Sequence, residues 1–388
     1  MSTRVLLVPD LAIEGWPSMD RYASRLARLL HRYATDLDVV LAGEIAGLTL
    51  DNRYAYDGVR ISPDIPAPVL PTGGLAELQR YVARYAVYPA RVRRHRADVV
   101  HVLDHSYAHV LLRRGTRPCV VTVHDLLPVM TVRRGGAGPR NHLRTWLLRR
   151  VLRGLRRADG WIVATEWLRG ELAEWLGNDR HIHVIPFGVD DAFFEDPEED
   201  RATTRRRWQL PPHAFVVLHV GSVGPRKNLA AVFAAVDGLR RAGIDAWLLQ
   251  VGGRPTAAQE ADLRSRDIAR YACRVGEVAE RDLRAAYQAA DVLLFPSHYE
   301  GFGFPVLEAM ASGLPVVTSG AGGLAEVAGD AAIVVGGRES EPYVAALKKL
   351  VASDHWRRQL VDRGLARART FRWVETARKT AEVYRGLV

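Results

Sequence analysis

Lysine is scarce in this 388-residue chain: 4 lysines stand beside 50 arginines, so its basic surface is almost wholly guanidinium. Cysteine is scarcer still. Cys119 and Cys273 fall in separate strand-like runs, which excludes a disulfide framework and suits buried free thiols in a reducing compartment. No apolar run is long enough to cross a membrane as a helix. The first apolar run, RVLLVPD, reads as a short strand followed by acidic and polar residues rather than as a signal peptide, so the chain is expected in the cytoplasm. There is no short repeat period, no low-complexity tract and no RNA- or DNA-binding motif.

What remains is an ordinary globular composition, 48% apolar and 25% charged, in a chain too long for one core. Strand and helix patterns alternate: RVLLV, a helix over Asp20 to Tyr33, DVVLA, DVVHVL, CVVTVH, WIVAT and HIHVI. The rhythm then restarts with FVVLHVGS, a helix over 228–242, AWLLQVGG, CRVGEV, DVLLFPS, PVVTS and AAIVV. Such repetition predicts α/β architecture with two Rossmann-like halves. VIPFGVDDAFFEDPEED (184–200), with Pro, Gly and an acidic run, reads as the linker.

Net charge is +10 and uneven: residues 1–190 hold 27 arginines against 19 acids, whereas 191–388 hold 27 basic against 25 acidic residues. Two acid-free stretches concentrate the excess, RYVARYAVYPARVRRHR (80–96) and PRNHLRTWLLRRVLRGLRR (139–157). On a helical wheel Leu143, Trp146, Leu147, Val151 and Leu155 form one face, and Arg149, Arg150, Arg153, Arg156 and Arg157 the other. Two readings stay open, a sheet-covering helix in an arginine-rich chain or a patch meeting anionic lipid heads or an anionic acceptor.

HYEGFGFPVLEAM (298–310) sets Glu300 and Glu308 on either side of a loop with two glycines and Pro305. Spacing alone decides nothing, since 19 glutamates give about one such pair by chance. Glu166 and Glu174 are eight apart as well, in a run that reads as a solvated helix face. The context of Glu300 and Glu308 differs. DVLLFPS reads as a buried strand and PVLEAMASG as a helix stopped at Gly313, which places Glu300 at a strand's carboxyl end and Glu308 in the next helix's first turn. Ligands of open parallel sheets bind there, helix N-termini attract phosphate, and carboxylates accept hydrogen bonds from vicinal hydroxyls. The pair suggests a nucleotide sugar.

With VGSVGPRKN (220–228), VGEV (275–278), ADVLLFPSHYEGFGFPVLEAMASGLPVVTS (290–319), GGLAEVAGDAA (322–332), VIPFGVD (184–190) and FRWVETARKTAEVYRGLV (371–388) in ordered series, the chain resembles glycosyltransferase family 4 over nearly its full length. These are retaining GT-B enzymes that use nucleoside-diphosphate sugars. The resemblance implies two Rossmann-like domains facing across a cleft. The first, 1–187, would bind the acceptor and be completed by a helix at 372–388 crossing back; the second, 188–371, would bind the nucleotide sugar.

Residue by residue, it implies that Glu308 holds the ribose, that Glu300 contacts the donor sugar, and that backbone at Gly303, Phe304, Pro305, Val306 and Leu307 meets sugar and pyrophosphate, with Val278 and Ser222 lining the donor site. Arg226 and Lys227 would stabilise the leaving diphosphate without a metal or cofactor. Many relatives carry Arg at the place of Ser222, which leaves open whether Arg226 takes over that contact. His124 would lie beside donor sugar and acceptor. Asp125, Asp104 and His105 are acceptor candidates, and Trp16 either stacks on a sugar or packs on the adjacent helix. His101, Asp104, His105 and His109 could be read as metal ligands, but on a strand ending near Leu103 they diverge. The sequence DLD (36–38) reads as a turn.

The expected activity is transfer of a hexose, first guess mannose or glucose, to a glycan or lipid-linked acceptor in surface polysaccharide or glycolipid assembly, the enzyme peripheral on the membrane through the arginine-rich helix 141–157. The alternatives are a same-fold nucleotide-sugar synthase or epimerase, and a non-catalytic binder of nucleotide sugars or polyanions.

Overall fold

The structure, a computed structural model, describes residues 2–11, 14, 16–42, 59–61, 76–113, 115, 117–133, 142–196, 198–337 and 339–388. Gly15 and positions 139–141 of the second basic stretch lie outside them. The chain divides into two compact units, Met1–Gly188 with Trp373–Val388, and Val189–Arg372.

Unit 1 is built on a seven-stranded sheet of β1 (Thr3–Val8), β2 (Leu37–Leu41), β3 (Arg60–Ile61), β4 (Val99–Val102), β5 (Cys119–Val123), β6 (Gly160–Val163) and β7 (Ile182–Val184), in the order β3-β2-β1-β4-β5-β6-β7. All its pairings are parallel. Unit 2 repeats the plan with β8 (Phe215–Gly221), β9 (Ala246–Gly252), β10 (Ala272–Gly276), β11 (Val292–Phe295), β12 (Val316–Thr318) and β13 (Ile333–Val334), ordered β10-β9-β8-β11-β12-β13 and again parallel. Parallel sheets covered on both faces need continuous apolar strands, and β1, β5 and β11 supply them: Val5 to Val8, Val120, Val121 and Val292 to Phe295 are all at most 1% exposed. In both sheets strand order reverses beside the first strand, between β1 and β4 and between β8 and β11. Those reversals open the crevices at the carboxyl ends where ligands of such sheets bind.

Several elements differ from the sequence reading. The first helix begins at Pro17 rather than Asp20, because proline's fixed φ suits the first helical position. The 184–200 segment holds the division between the units, at Gly188 and Val189, as the linker reading has it, but it is anchored rather than loose. Phe187 packs in unit 1 against Tyr22 and His124, and Phe193 packs in unit 2 against Tyr287, so an aromatic anchor stands on each side of the division. Cys119 is a buried thiol, but Cys273 is half-buried because β10 is an edge strand.

The helix His142–Leu155 buries Leu147, Val151 and Leu155 as the wheel predicts, yet Leu143 and Trp146 are 64% and 48% exposed. Its close approach to the 3₁₀ segment His105–Arg113 comes late, at Gly154, where an added Cβ would meet the Ala108 carbonyl oxygen at 2.0 Å. The helix start leaves its apolar residues in solvent. The DLD acids serve ion pairs: Asp36 with Arg385, Asp38 with Arg4 and Arg60. The last helix, Trp373–Arg385, belongs to unit 1 and packs on the first, Pro17–Tyr33. No helix among the described residues is long and apolar enough to cross a membrane.

Candidate functional site

In unit 2 the strand β8 stops at Gly221, Ser222 is exposed, and a 3₁₀ turn Pro225–Lys227 leads through left-handed Asn228 into the helix Leu229–Arg241. The neighbouring β11 stops at Phe295, and its loop is fastened to that turn: the His298 amide donates to the Arg226 carbonyl at 2.7 Å. Glu300 Oε1 accepts from both Arg226 Nη1 and Lys227 Nζ, each at 2.6 Å. Lys227 is 6% exposed, with its ammonium 4.6 Å from the centre of the Phe295 ring. Burial lowers its pKa, and the Glu300 carboxylate works against that shift. Two cations share one carboxylate, so the cluster keeps a surplus positive charge at the mouth of the crevice.

Gly303 starts the next helix at φ +104°, and an added Cβ would strike Leu324 at 2.4 Å, so both conformation and space require glycine. The helix runs Phe304–Ala311 with Pro305 at its second position. The Val306 and Leu307 amides turn back to the Gly303 carbonyl at 3.0 and 3.4 Å. Glu308 therefore stands in the second turn, not the first as the sequence suggests. It is 3% exposed and accepts a 2.7 Å hydrogen bond from the buried Tyr287 hydroxyl. Glu300 and Glu308 thus have different partners, one cationic and one neutral. Val278 is half-buried in the loop after β10. Glu166 and Glu174, by contrast, lie on the ordinary helix Glu166–Leu176, capped by Thr165.

In unit 1, residues just past β4 and β5 converge. The His124 Nε2 hydrogen donates to the Leu103 carbonyl at 2.8 Å, its ring lies edge-on to Tyr22 at 5.0 Å, and burial lowers its pKa against the pull of Asp104. His105 Nδ1 is 3.4 Å from Asp104 and its Nε2 is 3.5 Å from Asp125. Burial opposes charge on this ring, but the bond to Asp125 and the nearby carboxylates outweigh it, and its pKa is raised. Asp125 also accepts from the Leu127 amide at 2.9 Å, and Asp104 from that of Ser106 at 2.6 Å. Trp16 is 37% exposed, with the Arg84 guanidinium 5.8 Å from its ring. His101 binds Tyr384 and Thr122, and His109 the Arg84 carbonyl, so the histidines of HVLDHSYAH have separate partners.

Residues 19–193 match Glycosyltransferase Family 4, and residues 200–367 match Glycosyl transferases group 1. The D-inositol 3-phosphate glycosyltransferase of Frankia alni is 31% identical over 314 residues, which are 74% of each chain. The chain belongs to glycosyltransferase family 4. The O-antigen chain mannosyltransferase B of Escherichia coli is 33% identical over 194 residues, 46% of this chain and 48% of that one. For the leading curated relatives, the match spans little more than half of their own length, 53% and 58%. Among solved structures, Anabaena HepE in complex with UDP and glucose superposes over 100% of both chains with a TM-score of 0.77 at 19% identity, a likeness that shows the shared GT-B fold.

Within this family 4 chain, sequence reasoning passed over Asp10, Glu14, Arg84, Tyr107 and Tyr287. One signal was available for Asp10. It stands two residues past the end of an apolar strand, as Asp104 and Asp125 do, and the argument that selects those two selects it as well. Arg84 had no signal, because it lies in a π turn, Ala83–Val87, inside an otherwise α-helical run.

Proposed function

We propose that the chain is a retaining hexosyltransferase that moves a sugar from a nucleoside-diphosphate donor to an acceptor hydroxyl without a metal ion. The observation that carries this reading is the Arg226–Lys227–Glu300 cluster at the β8/β11 reversal, with Glu308 on the adjoining helix. As the bond between the anomeric carbon and the diphosphate lengthens, negative charge grows on the leaving phosphate. Buried Lys227 and its neighbour Arg226 stabilise it where water screens least. Glu300 orients both cations and faces the donor sugar, and Glu308 with Tyr287 holds the ribose. The acceptor proton passes to the leaving phosphate oxygen, and the new bond forms on the face the phosphate leaves, which retains the anomeric configuration.

A donor panel beginning with GDP-mannose and UDP-glucose, scored by thermal shift and by slow release of nucleoside diphosphate, tests the reading. Relatives named for mannosyl transfer and a fold neighbour bound to UDP and glucose set that order. Glu308→Ala and Lys227→Ala are each expected to lower kcat/KM by about 2 to 4 kcal/mol, Glu166→Ala and Glu174→Ala to be nearly silent, and EDTA to leave turnover unchanged. Equal losses from both glutamate pairs, or activity abolished by EDTA and restored by Mn²⁺, would sink it. Binding without any hydrolysis would point to a non-catalytic binder.

The acceptor is read as membrane-borne because the helix His142–Leu155 exposes Leu143 and Trp146 beside a face with exposed Arg149 and Arg153, followed by exposed Arg156. Each such arginine is worth about 1 kcal/mol near an anionic surface. The triple change of Arg149, Arg153 and Arg156 to Glu is expected to cut binding to anionic liposomes at low salt and spare donor hydrolysis. A wild type that ignores such liposomes would leave a soluble acceptor.

A further inference from the structure

A cluster in unit 1 goes beyond the acceptor residues that the sequence offered. Carboxylates stand at or just past the carboxyl ends of three neighbouring strands: Asp10 after β1, Asp104 after β4 and Asp125 after β5. Glu14 adds a fourth. The guanidinium facing them, Arg84, is paired through both Nη atoms, while its buried Nε has no hydrogen-bond partner in the structure. Its Nη1 pairs with Glu14 at 2.8 Å, its Nη2 donates to Ser106 oxygens at 3.0 and 3.1 Å, and it lies 4.3 Å over the Tyr107 ring. The π turn Ala83–Val87 carries Arg84, and such one-turn insertions recur at functional sites. Tyr107 also donates to Glu14 at 3.0 Å.

Asp10 is the anomaly. It is 5% exposed, and its Oδ2 is buried with no hydrogen-bond partner in the structure. A carboxyl left so costs stability, and a buried polar atom without a partner calls for an explanation such as a functional role or a bound water or ion. Burial, then the charges of Asp104 and Asp20, push its pKa up to about 9, against the weaker pull of Arg84.

Resting on the glycosyltransferase reading, we infer that this cluster is the acceptor-recognition site, that it takes an uncharged polyhydroxy group such as a hexose or cyclitol, and that Asp10 is a specificity-determining contact. A ligand hydroxyl can donate to the orphaned Oδ2, and the remaining carboxylates accept from its neighbours. A phosphorylated ring would instead set its charge against Asp104 and Asp125, which His105 between them offsets only in part, with Arg84 already paired to Glu14, and like-charge contacts of that kind are disfavoured.

The experiment uses the full chain and three probes, methyl α-D-mannopyranoside, myo-inositol and myo-inositol 1-phosphate. Their affinities are measured by saturation-transfer NMR for the wild type and for Asp10→Asn and Asp10→Ala, and each protein is melted thermally. At least one neutral probe is expected to bind tenfold or more tightly than the phosphate. Both variants are expected to lose about tenfold in neutral-probe affinity while melting at or above the wild-type temperature, because the orphaned carboxyl is gone. A purely structural aspartate would show the reverse, a lower melting point and unchanged affinity. Tighter binding of the phosphate, unchanged affinity in both variants, or no neutral probe bound at tens of millimolar overturns the inference. Donor hydrolysis without acceptor is scored separately, so failure of the transferase reading appears there and not in the probe ranking.

Discussion

Glu300→Gln keeps the shape of the Arg226–Lys227–Glu300 cluster and removes its carboxylate. Lys227, with a side chain 7% exposed, then holds an ammonium with no counter-charge, whereas Arg226, at 36%, can turn to water. Breaking a buried ion pair from one side costs about 3 to 5 kcal/mol, and exposed pairs are worth about 1 kcal/mol or less. The Phe295 ring beneath Lys227 and loss of the lysine proton offset part of this. A net destabilisation of unit 2 near 3 kcal/mol is therefore expected.

The assay is thermal and urea unfolding of the wild type, Glu300→Gln, Lys227→Met and the double variant. The double variant is expected to be more stable than Glu300→Gln alone, since it buries no charge, and the cycle reports that coupling directly. The pH dependence has a definite sign. Burial lowers the native lysine pKa below its unfolded value, so the unfolded chain binds more protons and stability rises with pH through that interval. In Glu300→Gln the interval opens at lower pH. Adding a nucleoside diphosphate, whose charge replaces the lost carboxylate, is expected to shrink the deficit. A Glu300→Gln protein within 0.5 kcal/mol of wild type, or strictly additive effects, would refute the account, since coupled neighbours depart from additivity by about that much or more.

Three buried histidines give an acid-limb prediction. Burial pushes His101 down to about 3 and His109 and His219 down to about 4, so below about pH 6.5 the unfolded chain takes up protons that the native chain refuses. Each is expected to remove about 1.4 kcal/mol per pH unit between 6.5 and 4, partly opposed in unit 1 by Asp10, whose raised pKa keeps a proton in the native chain over the same range. Urea melts that are flat from pH 7 to 5 would contradict it. Two glycine replacements in helices are expected to differ in sign. Gly154→Ala meets the Ala108 carbonyl and destabilises by about 1 to 3 kcal/mol, whereas Gly170→Ala, with open space around it, stabilises by about 0.5 to 1 kcal/mol; equal melting shifts would show that the close approach is not rigid.

The two sheets were legible because every strand between two covered layers must be apolar throughout, and runs such as VLLF and CVVTV have few other uses. Strand ends were less so: DVVHVL and DVLLFPS were read long because the residues that leave the sheet, Leu103 and Ser297, are still buried. Lys227, Arg226 and Glu300 were each singled out by motif and context, but their mutual ion pairs were not legible. Two loops 73 residues apart must first be sewn together by the His298 amide. The exposed Leu143 and Trp146 defeated the wheel for a related reason. Periodicity gives a face its direction, and only the neighbour's length says how much of that face is covered.

The last helix of unit 1 leaves the ribosome after all of unit 2, and this ordering has a price in cells. Until it arrives, His101 Nδ1 lacks the Tyr384 hydroxyl that meets it at 2.5 Å across 283 positions, and Gly188 lacks the Trp373 backbone it is shaped to touch. A nascent chain can fold unit 2 as one continuous stretch while unit 1 still shows an open apolar face. Chains stopped short of position 373 therefore carry one finished half and one with an open apolar face, the form that proteases and chaperones recognise.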